Sequence, residues 1–258
     1  METKKLESVF LQTSTGCNVR CVICPYQEAY GKKPVKYMTE RLFNKILRDL
    51  KDFDGEIGFY FQYEPLLDSR LNAFLKLAKE KCPKAYLSVS TNLSLYRNLE
   101  DCDYIYFNIL GGTKETYEKM MPPLKWETML KNVKKYSENF KGVMYVNFMK
   151  TNENVGEIEN LRKVLPKNIE IITRYWASNR GGKVKINKPE YSPTRFLKDE
   201  KDCEPIGKRV YIYYDGKVPI CCQCWEREVI VGDVIEENII DIFNKPKSYN
   251  HDICRNCD

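Results

Sequence analysis

Residues 16–25, Gly16-Cys17-Asn18-Val19-Arg20-Cys21-Val22-Ile23-Cys24-Pro25, place three cysteines in a C-x3-C-x2-C pattern directly after a short apolar run. Thiolates are soft ligands that suit iron–sulfur clusters, zinc or Cu(I). A 4Fe–4S cluster is normally held by four cysteines, so three would leave one iron open to a ligand that is not protein. The same spacing is also compatible with a structural zinc knuckle or with a chance grouping.

The composition limits the class of protein. The 258-residue chain is 43% hydrophobic and 30% charged, and no run of eighteen apolar residues or signal peptide is present. We therefore expect a cytoplasmic protein without a membrane segment. Its 42 basic and 36 acidic residues give a net charge of +6 that is dispersed along the chain, which argues against a nucleic-acid partner. Eleven cysteines without a secretion signal favour metal binding over disulfides, and a single histidine, His251, excludes a multi-histidine metal site.

Apolar periodicity predicts alternating strands and helices. The predicted strands are 9–13, 56–62, 86–91, 104–109, 143–149 and 170–175, and the predicted helices are 39–50, 71–78, 113–121, 126–140 and 155–164. Such alternation indicates parallel βα units, in a partial barrel or in an open doubly wound sheet. The composition changes after Ser178, where 179–182 and 189–193 are typical of a linker. We predict two domains, 1–178 and 179–258.

Polar residues lie at the ends of three of these strands or just after them, at the edge where parallel α/β folds place their sites. Strand two is followed by Glu64-Pro65-Leu66-Leu67, strand three by Asn92, and strand four contains Asn108. Each also has an ordinary interpretation, since Glu64 suits a surface turn and asparagine is frequent in loops.

A second set of cysteines lies in the last quarter of the chain: Cys203, Cys221, Cys222, Cys224, Cys254 and Cys257. Residues 210–214 and 218–220, joined by Asp215-Gly216, predict a β-hairpin beside them. A hairpin with thiolates and a later C-x2-C fits zinc and a 4Fe–4S cluster equally well. Cys82 and Cys102 are most simply buried small apolar residues.

The first cysteine pattern resembles the signature of the radical S-adenosylmethionine (radical SAM) superfamily, with Ile23 where an aromatic residue is usual. The resemblance implies a partial (β/α)6 barrel of the TIM type. It also implies that a 4Fe–4S cluster on Cys17, Cys21 and Cys24 binds SAM and reduces it to a 5′-deoxyadenosyl radical, which abstracts a substrate hydrogen.

The strand-end residues extend this resemblance. Glu64 occupies the place of the acid in the family's Gly-Gly-Glu segment, which contacts the SAM ammonium, although Gln62 and Tyr63 replace the two glycines. Asn92 is similar to the asparagine of a Thr-Asn-Gly ending, with Leu93 in place of glycine.

The fourth strand resembles a Ser-Leu-Asp-Gly pattern of the family, in which Asn108 replaces the serine that reaches SAM and Leu110 replaces the acid. Met121 stands where an arginine often binds the SAM carboxylate. Arg180 and Lys150 are therefore the candidates for that contact.

The later cysteines resemble the first part of the SPASM domain, which holds auxiliary clusters in many radical SAM enzymes. A full SPASM domain continues past the C-x2-C with more cysteines for a second cluster, whereas this sequence stops there. It therefore resembles the shortened "twitch" version, with one auxiliary 4Fe–4S cluster on Cys203, Cys221, Cys254 and Cys257. Cys222 and Cys224 stay uncertain: one of them could replace Cys221, or both could be bystanders. The cysteine layout, Glu-Pro-Leu-Leu and residues 178–182 resemble compact twitch-domain dehydrogenases of aminoglycoside biosynthesis.

We therefore predict a radical SAM oxidoreductase that oxidises a small hydroxylated molecule, such as a sugar or cyclitol, and passes an electron to the auxiliary cluster. Its electron donor would be a flavodoxin or ferredoxin. Arg180 is the first candidate for the catalytic base, ahead of Lys150, Tyr63 and Tyr175. One alternative is a maturase of ribosomally made peptides, which is weakened because only sixteen residues precede the cysteine loop. An alternative of another class is a zinc-stabilised binding module on an inactive barrel.

Overall fold

The computed structural model describes residues 5–173, 175–189, 203–248 and 250–257. Seven strands form one sheet: β1 (Ser8–Leu11), β2 (Glu56–Phe59), β3 (Tyr86–Thr91), β4 (Tyr104–Asn108), β5 (Val143–Asn147), β6 (Glu170–Ile172) and β7 (Arg209–Ile212). Their spatial order is β6-β5-β4-β3-β2-β1-β7, and every neighbouring pair is parallel. The predicted parallel α/β architecture is confirmed.

Helices connect the strands and close the later part of the chain. They are α1 (Tyr26–Ala29), α2 (Glu40–Asp49), α3 (Leu71–Lys81), α4 (Lys114–Met120), α5 (Trp126–Asn139), α6 (Ile158–Val164), α7 (Glu204–Gly207), α8 (Ile239–Asn244) and α9 (Asp252–Arg255), with 3₁₀ turns at Pro65–Leu67 and Val155–Glu157. Helix α2 begins where the sequence predicts, because the Thr39 side chain accepts a hydrogen bond from the Leu42 amide.

The two faces of the sheet bury different side chains. The face toward the helices carries Val9, Ile57 and Phe107, which pack in one large core with residues of α2 and α3 such as Phe43 and Phe74. The opposite face carries larger aromatic and polar side chains. On β4, for example, Tyr104, Tyr106 and Asn108 are half-buried while the intervening Ile105 and Phe107 are buried. This face encloses the interior of the barrel, where a ligand has room.

The structure corrects the predicted hairpin of 210–214 with 218–220. Strand β7 pairs in parallel with β1, from Ser8↔Arg209 to Leu11↔Ile212, and so extends the barrel sheet. Strand β8 (Lys217–Pro219) pairs antiparallel with β9 (Ile230–Asp233) instead. The predicted turn is present, since Gly216 has a φ of +89° and its amide donates to the Tyr213 carbonyl at 2.9 Å. The pattern of 210–214 was that of a buried strand, and it did not indicate the partner.

Two smaller predictions differ from the structure at their ends. Strand β6 ends at Ile172 rather than at 175, and the predicted helix 155–164 begins as a 3₁₀ turn. Most of the predicted linker 189–193 lies outside the described residues, and the boundary between 178 and 179 stays a prediction. None of the described helices is both long and apolar enough to cross a membrane.

Candidate functional site

A cavity of about 270 Å³ opens at the carboxyl ends of the strands. Seven residues that the sequence singles out line its wall: Cys17, Cys21, Cys24, Glu64, Asn92, Asn108 and Arg180. Residues of the C-terminal part, including Tyr211, Cys222 and Trp225, complete the wall. One cavity therefore faces both parts of the chain.

The first cysteine loop is held in place from both sides. On one side, the Arg20 and Val22 amides donate to the carbonyls of Pro122 and Met120 at 2.7 and 3.0 Å, at the end of α4. On the other side, the Tyr26 hydroxyl accepts a hydrogen bond from the Cys17 amide at 2.8 Å and donates to the Thr15 carbonyl at 2.7 Å. The loop is a rigid carrier for its three thiols.

Burial governs the protonation of these thiols. It raises the pKa of Cys17 to about 12, and the negative charge of Glu64 adds to the effect. Burial also raises the pKa of Cys21 and Cys24, while the positive charge of Arg180 acts against that shift at both residues. Thiolates that bind a metal must lose these protons, so metal loading and proton release are coupled here.

Glu64 is 2% exposed and both of its carboxylate oxygens accept hydrogen bonds. Oε1 accepts from the Leu66 amide at 3.1 Å and the Thr91 hydroxyl at 2.7 Å, and Oε2 accepts from the Asn92 amide at 2.7 Å. Burial nevertheless raises the pKa of Glu64 to about 7, against these hydrogen bonds. A buried carboxylate at the cavity wall favours a bound cation, as a SAM ammonium would be.

Two of the three positions at which the family's motifs have glycine keep a glycine-like backbone. Gln62 has a φ of +59° and Leu93 a φ of +63°, in the left-handed region that side chains other than glycine seldom adopt. The replacements at these positions therefore leave the path of the chain beside Glu64 and Asn92 in the conformation that glycine favours.

Side-chain amides at the carboxyl ends of β3, β4 and β5 line the cavity. The Asn108 amide donates to the Ser90 hydroxyl at 2.9 Å, and the Asn147 amide donates to the Asn108 side-chain oxygen at 3.3 Å. Asn92 donates to the Asn18 side chain at 3.0 Å. The sequence analysis missed Asn147, although its place at the end of β5 was the signal that identified Asn108 on β4.

The two predicted cations occupy different places. Arg180 has a φ of +55° and its Nε donates to the Ile23 carbonyl of the cysteine loop at 3.1 Å. Lys150 lies outside the cavity wall, and its Nζ is 5.5 Å from the ring centroid of Trp176, which does line it. The other base candidate in the wall, Tyr63, is buried, and its hydroxyl accepts from the Thr13 hydroxyl at 3.2 Å.

Four thiols of the second set share one cluster with Ile206, Ile220 and Ile253: Cys203, Cys221, Cys224 and Cys254. Both later C-x2-C segments close as the first one does. The amides of Cys24, Cys224 and Cys257 donate to the carbonyls of Cys21, Cys221 and Cys254 at 3.1, 3.4 and 3.3 Å. Among the described residues, no three cysteine, histidine or acidic side chains are already gathered as a metal site, so the ligand sets stay predictions. The donors are soft thiols in both sets, which fits iron–sulfur clusters.

Two other residues of the wall escaped the sequence analysis. The Gln62 side chain donates to the carbonyl oxygens of Cys222 and Cys224. Trp225 packs with Tyr26 and Ala29 against Cys17 and Cys24, and its buried indole N–H has no hydrogen-bond partner among the described residues. Contacts between residues so distant in sequence leave no local pattern that could predict them.

Comparison with known families agrees with this geometry. Residues 11–165 match the model of the radical SAM superfamily, and residues 203–258 match SPASM, an iron-sulfur cluster-binding domain. The chain belongs to the radical SAM superfamily. Radical SAM domains bind a 4Fe–4S cluster and SAM, and SPASM domains bind auxiliary iron–sulfur clusters. The predicted class and cofactors are confirmed.

The chain is 23% identical over 270 residues to the S-adenosyl-L-methionine-dependent 2-deoxy-scyllo-inosamine dehydrogenase of Niallia circulans, covering 98% of this chain and 93% of that protein. The predicted resemblance to this kind of dehydrogenase is thereby confirmed. The structure of BtrN in complex with AdoMet and 2-DOIA matches with a TM-score of 0.61 and 19% identity, over 98% of this chain and 93% of that one. Streptococcus suis SuiB bound to the precursor peptide SuiA matches with a TM-score of 0.72 and 14% identity, over 94% and 65%. At these identities the structures show a shared fold.

Proposed function

We propose that this protein oxidises a small hydroxylated molecule of the sugar or cyclitol kind by radical SAM chemistry. The proposal is supported chiefly by one cavity, whose wall contains Cys17, Cys21 and Cys24 together with Cys222. Cys222 is the chain neighbour of the candidate auxiliary ligand Cys221. An electron released by a substrate in this cavity has a short path to an auxiliary cluster. The name of the Niallia circulans relative supports the choice of a dehydrogenase.

The residues of this chain take separate parts in the proposed reaction. Cys17, Cys21 and Cys24 hold the first cluster, which, when loaded, supplies the electron that cleaves SAM to a 5′-deoxyadenosyl radical. Glu64, Asn92 and Asn108 bind SAM through the carboxylate and amides in the wall, and Arg180 or Lys150 binds its carboxylate. Cys203, Cys221, Cys254 and Cys257 would hold the auxiliary cluster, which would supply an acceptor for the electron that the substrate radical loses.

The chemistry of the wall favours a small polar substrate. Ser90 and Asn147 offer a donor and an acceptor on each side chain, and this suits hydroxyl groups. A guanidinium does not act as a base, so we assign Arg180 a catalytic role of a different kind: its positive charge stabilises negative charge on a substrate oxygen as the proton leaves.

The first cluster needs a one-electron donor of low potential, and we propose a flavodoxin or ferredoxin for it. Comparing either carrier with chemical reductant in the same assay tests this part. Equal or higher turnover with the protein carrier is expected.

The proposal is tested with anaerobically reconstituted protein, SAM, reductant and a panel of cyclitols and sugars deuterated at their carbinol carbons. We expect deuterium in 5′-deoxyadenosine and a ketone product in equal amount, for at least one compound. A Cys17→Ala variant should form neither product, and Cys82→Ala, whose thiol is buried and donates to the Leu47 carbonyl, should form both. Deuterium transfer from a peptide and from none of the small molecules would contradict the proposal and favour a maturase.

A further inference from the structure

The side-chain amide of Gln62 joins the two cysteine-bearing loops of the cavity. Its oxygen accepts a hydrogen bond from the Tyr30 hydroxyl at 3.0 Å. Its nitrogen donates to the carbonyl of Cys222 at 3.1 Å and to that of Cys224 at 3.3 Å. One amide thus uses both its acceptor and its donors to connect chain segments that are far apart in sequence.

Tyr30 belongs to the side of the first cysteine loop. It is the C-terminal cap of α1, the helix that begins two residues after Cys24. Its ring stacks on Tyr26 with centroids 5.7 Å apart, and the Tyr26 hydroxyl accepts the Cys17 amide hydrogen bond. Tyr30 and Tyr26 therefore anchor the Gln62 side chain to the rigidly held side of the first cysteine loop.

The other partners belong to residues 221–225, which we call the auxiliary loop. The Tyr213 hydroxyl donates to the same Cys224 carbonyl, and the Gln223 amide donates to the Ser178 hydroxyl at 3.4 Å. Gln62 follows strand β2 and lies in the cavity wall with Glu64. Its side chain connects this part of the barrel to the auxiliary loop.

The backbone of Gln62 makes this arrangement unusual. Its φ of +59° is unfavourable for a residue with a side chain. Glycine would adopt it without strain, and glycine would make none of the three hydrogen bonds. The turn beside Glu64 can form without a side-chain amide, whereas the hydrogen bonds to the auxiliary loop require one.

We propose that Gln62 is a positioning residue that fixes the auxiliary loop, and with it the auxiliary cluster, at the rim of the SAM cavity. The proposal rests on the proposed oxidation, in which the substrate gives a hydrogen atom to the 5′-deoxyadenosyl group, an electron to the auxiliary cluster and its hydroxyl proton to solvent. When the auxiliary loop shifts, SAM is still cleaved, but fewer cleavage events end in oxidised product.

Gln62→Glu is the sharpest variant, because it keeps the shape of the side chain but cannot donate to the two carbonyls. With the reconstituted protein we expect the ratio of ketone product to 5′-deoxyadenosine to fall about fivefold, the effect that one or two lost hydrogen bonds would have. The electron paramagnetic resonance signal and midpoint potential of the auxiliary cluster should shift, while the signal of the SAM-binding cluster and the iron content stay as in the wild type. Gln62→Gly, which adds no charge and relieves the backbone, should change the ratio in the same direction.

An unchanged ratio and an unchanged auxiliary-cluster signal in both variants would overturn the proposal for Gln62. If the wild-type protein oxidises none of the small molecules, the proposed function fails instead, and the auxiliary-cluster signal still decides the position of Gln62. A loss of iron in Gln62→Glu alone leaves Gln62→Gly as the deciding variant. Tyr30→Phe removes the hydrogen bond to Gln62 and keeps the ring that stacks on Tyr26, so a smaller change of the same sign is expected.

Discussion

Cys221 and Cys222 are consecutive in the chain, but their side chains lie in two separate clusters. Cys221 is buried with Cys224, Ile220 and Ile253, against Cys203 and Cys254. Cys222 packs against Phe10, Phe61, Tyr211 and Tyr213 on the barrel side. The two thiols therefore face different chemical sites, one the auxiliary cysteines and the other the SAM cavity.

This separation predicts opposite results for two serine variants. Cys221→Ser should lower the iron content of the reconstituted protein from about eight to about four per chain, because one 4Fe–4S cluster loses a ligand. Cys222→Ser should keep about eight. Iron and sulfide determination on the two purified variants checks this, and iron loss in Cys222→Ser with retention in Cys221→Ser would exchange their roles.

Cys224 needs a variant of its own, since its thiol shares the cluster of Cys203, Cys221 and Cys254. If Cys221 is the ligand, Cys224→Ser should retain the auxiliary cluster. Its electron paramagnetic resonance spectrum should change, because a thiol next to the cluster is replaced. Full loss of that cluster in Cys224→Ser would place Cys224 among the ligands.

The raised pKa of Glu64 predicts that the stability of the protein depends on pH. Burial raises its pKa from 4.5 to about 7, so between these pH values the folded protein holds a proton that the unfolded chain has lost. The free energy of unfolding of the cluster-free protein therefore falls as the pH rises through this window, by up to about 3 kcal/mol from this group. Denaturant titrations at several pH values should show this fall in the wild type and a flatter profile in Glu64→Gln. Identical profiles in both proteins would exclude Glu64 as the cause.

Arg180 and Lys150 predict different effects on SAM binding. Arg180 lines the cavity and donates a hydrogen bond to the cysteine loop, whereas Lys150 lies outside the cavity wall, with its Nζ 5.5 Å from the Trp176 ring centroid. Removing a charged hydrogen bond to a carboxylate should raise the Kd for SAM roughly tenfold in Arg180→Gln. Lys150→Gln should change it less than about twofold, the size of an exposed charge effect. Equilibrium dialysis with labelled SAM measures both, and the reverse order would assign the carboxylate contact to Lys150.

The sequence was sufficient where chemistry and periodicity are local. The C-x3-C-x2-C loop, the Thr39 cap of α2 and the strand-end residues Glu64, Asn92 and Asn108 each follow from neighbouring residues, and the structure brings them to one cavity. It was insufficient where a strand chooses a distant partner. The 210–214 segment has the same pattern beside β1 as it would have in a hairpin, so its parallel pairing could not be read from that pattern.

The contacts across the cavity escaped prediction for the same reason. The hydrogen bond from Gln62 to Cys222 joins residues 160 positions apart, and it depends on a backbone conformation that favours glycine. The sequence showed only that two glycines were replaced. The structure shows in addition that the side chain of one replacement, Gln62, contacts the auxiliary loop.

We expect the chain to hold two iron–sulfur clusters on two separate sets of cysteines. Anaerobic reconstitution with iron and sulfide, followed by metal counting on the wild type and on a Cys17→Ala, Cys21→Ala, Cys24→Ala triple variant, tests it most directly. We predict about eight irons in the wild type and about four in the triple variant, one 4Fe–4S cluster for each set. Binding of zinc and no iron under these conditions would show that neither set of cysteines holds an iron–sulfur cluster.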